Sequence, residues 1–485
     1  MMERLTMLQS KKLCLACVTG IYGCQWRKYR TQLNKKSTCI WCLILCCAFG
    51  ISAFWFYCWW ALRNDYSNLN EHLFAKMHRW LDWSVILLIL TAIIFSYLLL
   101  LMILSLCHFA LQIPLYLHWI NKVAILICVL LILILMIVIR IKWKEEWDTI
   151  SLSIQVTAPF LHLGAIVAVT IMAWFVIDQF FQSKRNLMLT GLVSQTSRKL
   201  AGKKRKKQLE QTVLQVIIPM FYLGVVIILY FIPLAISSPC IIEREDLAPR
   251  PAMMGHRGAP MLAPENTLMS FEETVKCEAT TFESDVQISF DGVPFLMHDS
   301  TFERTTDIAD VFPKRARSSV SSFTWAEIQK LNAGKWFLKI LWLPNNTNST
   351  PKDFQKIVGE KLDPDALQRQ NIHNINIRYS DINFMEIRNY AEKNISINLY
   401  VVNERWLFST LWCVKVNSVT TNACHIFKNM HEPIWHITPG TYKAIWITVD
   451  LVSFLLIVLI YVLHRSRHRK IQVGRGEENI EDTIL

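Results

Sequence analysis

Hydrophobic and polar residues divide this chain into two regimes. Six long apolar runs stand out, at roughly 39–62, 85–107, 121–141, 156–177, 213–236 and 444–463. A bilayer core takes about 20 apolar residues per helix, and each run meets that length. The stretch ICVLLILILMIVI is apolar on every face and lacks the polar stripe of a soluble helix. The runs therefore predict a multi-pass α-helical membrane protein with about six spans. Beyond Pro239 the period changes. PAMMGHRG reads as a short buried strand ending at a glycine turn, and NTLMSFEETVKCEA as a helix capped by Asn266, with Leu268, Phe271 and Val275 on one face. TTFESDVQIS alternates as a strand, with Glu283, Asp285 and Gln287 on one side. Phe290-Asp-Gly-Val293 predicts a tight turn into the returning strand VPFLMHD. Later strands are expected in HNINIRYS, SINLYVVN and VNSVTTNA, with helices at 381–393 and 404–412.

Charge sets the expected topology. The chain is 53% hydrophobic and only 18% charged, with net charge +13. The basic residues concentrate in a leader at 1–38, in the loop at 178–212 and in the tail at 464–485. Positive-inside bias then makes both termini cytoplasmic and turns the domain at about 240–440 toward the outside or a secretory lumen. The leader also makes the first run a span rather than a cleaved signal peptide. A run such as KKRKK beside a membrane suits anionic lipid, so the bilayer is the expected partner and nucleic acid is not. Asp178 and Arg140 lie near span ends, and no cluster of charges marks an ion pathway. Three sequons begin at Asn345, Asn348 and Asn394. Cys240, Cys277, Cys413 and Cys424 share the outward region, and three disulfide pairings remain open. Cys14 and Cys17 form a lone C-x-x-C, better read as thiols or lipidation sites than as a zinc site.

The candidate chemistry lies within residues 254–307. Glu283 and Asp285, two positions apart on an expected strand, place two carboxylates side by side. A divalent cation, calcium or magnesium, is the simplest way to neutralise them. His256-Arg257 ends the strand before and His298-Asp299 the strand after. Histidines move protons near neutral pH, and an arginine presents a planar fork to phosphate. The succession HRG, PENT, ESDV, DGVPF, HD and RTT resembles the glycerophosphodiester phosphodiesterase family, and the span layout resembles its multi-pass branch. The resemblance implies an α/β TIM-barrel-like domain with its site at the carboxyl ends of the strands. It implies a metal held by Glu283 and Asp285 with His298 close by, His256 and His298 as acid–base pair, and Arg257 near the phosphate. It implies glycerophosphodiesters as substrates, including the headgroups of glycosylphosphatidylinositol-type lipids. Glu265 and Asn266 are expected near the substrate, while Asp299 either orients His298 or caps a turn and Arg304 braces the loop.

The chain departs from that pattern in length. A barrel of this type takes about 250 residues, whereas only about 190 separate Gly255 from the last apolar run. The shortfall falls at 337–371, where no strand is expected and Glu360 is the one faint substitute for a third metal carboxylate. The domain is expected to lack its middle strands. The alternative function is a catalytically incompetent membrane form that binds or regulates a partner.

Overall fold

The computed structural model describes residues 18–23, 35–77, 81–110, 117–142, 144–194, 201–333, 357–358, 361–370 and 372–484. Two sequons, Asn345 and Asn348, lie outside the described residues, as do Glu360, Cys14 and Cys17. Asn394 is exposed, on a left-handed turn with φ 56°.

Among the described residues, six helices are long and apolar enough to cross a membrane. Helix α1 is Lys35–Ala61, and after a tight turn α2 covers Tyr66–Met77. Then follow α3 (Trp83–Ala110), α4 (Trp119–Lys142), α5 (Lys144–Ser194) and α6 (Ala201–Phe231). The interior between α1, α3 and α4 is filled by Leu45, Ala48, Leu98, Leu101 and Ile125. On α4, Ile127, Leu130 and Ile137 stay exposed, as lipid-facing positions do. The last span belongs to a helix of 46 residues, Pro439–Ile484. It joins α5 through a Thr170–Ser453 hydroxyl bond of 2.6 Å.

Among the described residues, the domain between the fifth and sixth spans holds eight strands: β1 Ala252–His256, β2 Thr281–Glu283, β3 Val286–Ile288, β4 Pro294–Leu296, β5 Ile357–Val358, β6 Asn374–Arg378, β7 Ser396–Tyr400 and β8 Ser418–Thr421. Six of them form one sheet in the order β2-β1-β8-β7-β6-β5. Every pairing in it is parallel. Among the described residues, the end strands β2 and β5 are not paired with each other. Five helical residues, Trp406, Leu407, Phe408, Leu411 and Trp412, cover its outer face, packed on Ile375, Ile377, Ile397, Leu399 and Val419. The strands NINIR and SINLY alternate strictly, which turns Asn376, Arg378 and Asn398 to the other face. There Asn398 Nδ2 donates to Asn376 Oδ1 and to Thr420 Oγ1, each at 2.7 Å, a polar ladder across three strands.

Four expectations need correction. Residues 337–371 do contain a strand, since Ile357 and Val358 extend the edge of β6 in parallel register. Two β-branched residues are too short a run to show a period. TTFESDVQIS is not one strand, because β2 ends at Glu283 and β3 turns away to pair antiparallel with β4 in a separate hairpin. That hairpin packs on its own small core of Phe295, Phe302, Phe323 and Ile328. The helix Leu268–Lys276, here α7, is capped by Thr267, whose Oγ1 accepts from Ser270 N. Asn266 instead takes φ 57° and turns its amide elsewhere. Finally, α7 buries Ser270, Phe271 and Thr274, while Leu268 and Val275 stay exposed, as does Phe282 on the β2 edge.

Both disulfide pairings emerge from the fold. Cys240 joins Cys413, and Cys277 joins Cys424. The first ties the segment leaving the fifth span to the helix between β7 and β8. The chain enters and leaves the domain side by side, with Ile437 N donating to Cys240 O at 3.0 Å. The turn after α1 also contacts the domain. Asn64 accepts from Asn403 N at 2.7 Å and donates to Val401 O at 2.9 Å. Asp65 Oδ2 accepts from the Tyr379 hydroxyl at 2.5 Å, and that hydroxyl also meets Thr149 Oγ1 at 2.9 Å.

Candidate active site

The carboxyl ends of the parallel strands open onto a cavity of about 840 Å³. His256 reaches it from the end of β1, Glu283 from the end of β2, Asp285 from the link to β3, and His298 from just beyond β4. Backbone geometry sets this convergence. Arg257 has φ 56° and Gly258 φ 93°, so the chain reverses sharply after His256. A Cβ at Gly258 would come within 2.2 Å of Ser270 Oγ, and one at Gly255 within 2.6 Å of Gly258 O. Only glycine fits at either position.

The two histidines are held differently. His256 Nδ1 lies 2.7 Å from the amide oxygen of Asn422, so Nδ1 carries the hydrogen and Nε2 keeps its lone pair. Burial, reinforced by the Arg257 charge, pushes its pKa down to about 4. His298 Nδ1 lies 2.8 Å from a carboxylate, Asp299 Oδ1, and that bond raises its pKa. Asp299 therefore orients His298 rather than capping a turn.

Arg304 does more than brace a loop. It donates to both oxygens of Asp299, at 2.7 and 2.9 Å, and to both oxygens of Glu265, at 2.9 and 2.7 Å. Burial alone would raise both acids, but the bonds and charge of Arg304 outweigh it and lower both. Arg257 is also buried among acids. Its Nη1 donates to Glu265 Oε1 at 3.1 Å, and its amide donates to Glu283 Oε2 at 3.1 Å. Its Nε sits 3.3 Å from Asp285 Oδ2 without hydrogen-bond alignment. Asn266 donates to the same Asp285 oxygen at 3.1 Å, so the residue expected to cap a helix instead steadies a site carboxylate.

Burial and then the neighbouring Asp285 charge raise the pKa of Glu283. Two hard carboxylates lining one cavity suit a divalent cation, and His298 lines the same space. Among the described residues, however, no three histidine, cysteine or carboxylate side chains gather closely enough to hold a metal. The structure thus brings Glu283, Asp285 and His298 to one cavity without drawing them into a closed ligand set.

Sequence reasoning missed several residues here. Asn422, which fixes His256, follows β8 in a stretch read only as a strand. Asp65, Asn68, Glu71 and His72, from the turn after α1 and from α2, also line the cavity. Nothing in a segment 180 residues upstream of the motif signals that contact.

A half-buried histidine and an exposed one, beside paired acids and an arginine at the strand ends of a parallel sheet, are groups suited to phosphodiester hydrolysis. Comparison with known proteins agrees. The sequence profile of the glycerophosphoryl diester phosphodiesterase family matches residues 256–361. Glycerophosphodiester phosphodiesterase domain-containing protein 5 of Gallus gallus is 35% identical, over 96% of this chain and 86% of that one. Glycerophosphoinositol inositolphosphodiesterase of Homo sapiens is 34% identical, over 97% of this chain and 96% of that one. The chain belongs to the glycerophosphodiester phosphodiesterase family. A solved phosphodiesterase from Oleispira antarctica is matched at 17% identity over 37% of this chain and 95% of that one, with TM-score 0.32.

Proposed function

We propose that this protein hydrolyses glycerophosphodiesters, including lipid headgroups of that class, at the outer or lumenal face of a membrane. The observation that carries the reading is the convergence of His256, His298, Arg257, Glu283 and Asp285 on one cavity. The hydrogen-bond partners support a distinct role for each histidine. His256, bonded to a neutral amide, is a neutral imidazole whose Nε2 takes the proton of the attacking hydroxyl, water or a neighbouring substrate hydroxyl. His298, bonded to a carboxylate, is suited to carry a proton and pass it to the departing alkoxide oxygen. Arg257 contributes positive charge beside the phosphate and spaces the acids around it. Glu283 and Asp285 would hold a divalent cation, calcium or magnesium, with His298 alongside. When bound, such a cation offsets charge on the phosphoryl oxygens.

The outward orientation rests on the basic segments at 1–38, 178–212 and 464–485, all on the side away from the domain in a six-span layout. It carries Asn345, Asn348 and Asn394 as glycan acceptors and the bilayer as constant partner. Turnover by the purified full-length protein in lipid nanodiscs tests the reading. Release of glycerol phosphate or the alcohol, abolished in His256→Ala and His298→Ala, supports it. A folded wild type that releases neither from any glycerophosphodiester refutes it. The unpaired end strands and the unclosed ligand set, among the described residues, favour one rival, a binding or regulatory form without turnover. That rival predicts intact folding and no hydrolysis even with added calcium or magnesium.

A further inference from the structure

A second group of metal-ligating atoms lies outside the domain, between the first two spans. Helices α1 and α3 run antiparallel there: Cys42 meets Ser105, Cys46 meets Met102, and Phe49 stacks on Phe95. Cys42 and Cys46, one turn apart, share a face of α1, and Met102 and Ser105 share the facing stripe of α3. Cys46 Sγ lies 4.0 Å from Met102 Sδ, and Cys42 Sγ lies 3.9 Å from Ser105 Oγ. The two thiols also hydrogen-bond to each other across the turn, and neither is in a disulfide. Leu45, Ala48, Leu98 and Leu101, almost wholly buried, pack at the same level and keep it dry.

Two thiols and a thioether meet here, and among the described residues no histidine or carboxylate joins them in a ligand set. Calcium and magnesium take oxygen ligands, and zinc takes four ligands drawn from thiolate, imidazole and carboxylate. Thiolate together with thioether selects monovalent copper. Sulfur stands roughly 2.3 Å from a bound ion, so three sulfurs in a trigonal plane are about 4.0 Å apart. Cys46 and Met102 already have that spacing. Ser105, buried and bonded in turn to the Tyr22 hydroxyl, is placed to hold the Cys42 sulfur rather than the ion. In the proposed orientation the cluster lies about 10 Å along α1 from its cytoplasmic end, on the side where thiols stay reduced.

We propose that Cys42, Cys46 and Met102 form a copper(I) site between the first and second spans. On binding, two S–H bonds break, two copper–sulfur bonds form, both protons pass to solvent, and the thioether donates a lone pair; copper keeps its oxidation state. The test titrates the full-length protein in nanodiscs with copper(I) held by a chromophoric chelator, and reads the ligand shell by X-ray absorption. The other cysteines are present in every sample, so the difference between variants is what counts. Wild type should hold one more equivalent than Cys42→Ala with Cys46→Ala, in a shell of three sulfurs. Met102→Leu keeps the packing and should weaken that equivalent by about ten-fold or more, and Met102→Cys should restore it. Cys128→Ala, on α4 in the same core, should leave it unchanged. Tryptophan-fluorescence melts show that each variant is folded. Equal copper in wild type and the double variant, affinity indifferent to Met102, or the same loss in Cys128→Ala overturns the proposal. None of these outcomes bears on hydrolysis at the strand ends.

Discussion

Arg304 offers the sharpest perturbation of the site's architecture. Its side chain is 12% exposed and makes four hydrogen bonds to Glu265 and Asp299, themselves 16% and 24% exposed. Arg304→Gln leaves two buried carboxylates without their shared counter-charge. Removing one partner of such a cluster costs about 3–5 kcal/mol. The Glu71 contact, at 3.8 Å and 38% exposed on the acid's side, adds little. For a domain of this size each kcal/mol moves Tm by about 2–4 °C, so a drop of roughly 6–20 °C is expected. Thermal unfolding of the domain, followed by tryptophan fluorescence in nanodiscs, reads it. Arg304→Lys keeps the charge but not the paired forks, and should recover less than half of the loss. The triple variant Glu265→Gln, Asp299→Asn, Arg304→Gln removes the charges together and should regain much of the stability while hydrolysis stays lost, since His298 no longer has its carboxylate. If Arg304→Gln melts like wild type, the clamp does not exist as described.

Other outcomes follow from the same geometry. Gly258→Ala should prevent folding of the domain, because its Cβ meets Ser270 and its φ of 93° is strained for any L side chain; expression with loss of protease resistance would show it. Asn64→Ala removes the bonds to residues 401–404 and should loosen the domain from the spans by about 1–3 kcal/mol, seen as faster amide exchange at the ends of β6 and β7. Cys277→Ser with Cys424→Ser should destabilise the domain by about 2–5 kcal/mol, measured by denaturant unfolding without reductant. If the domain faces a secretory lumen, Asn394→Gln should remove one glycosidase-sensitive mass step from protein made in mammalian cells; no step at any sequon would reverse the proposed orientation.

Some of this architecture is written in local pattern, and some is not. NINIR and SINLY alternate so strictly that β6 and β7, and the face each side chain takes, follow from period alone. Asp291-Gly292 announces the hairpin, and Gly292 indeed has φ 80°. His256 and His298 were legible because both sit at strand ends inside one dense motif. Asn266 was misread because Asn and Thr both cap helices, and only the tertiary pull of Asp285 decides that Thr267 caps while Asn266 turns to the site. The Asp65–Tyr379 bond spans 314 residues, so no local rule could place the turn after α1 against the strand ends. The clamp of Arg304 on Glu265 was hidden for the same reason, being 39 residues apart across two loops. The polar ladder Asn376–Asn398–Thr420 emerges only once the strands are in register.

On the proposed function, the parallel strands form a working phosphodiester site around Glu283 and Asp285. The most direct measurement is glycerol phosphate release by the full-length protein after chelation, with calcium or magnesium titrated back. Saturable recovery of turnover is expected in wild type, and none in Glu283→Gln with Asp285→Asn although that variant remains folded. Turnover indifferent to chelation, or unchanged in the paired variant, would contradict it.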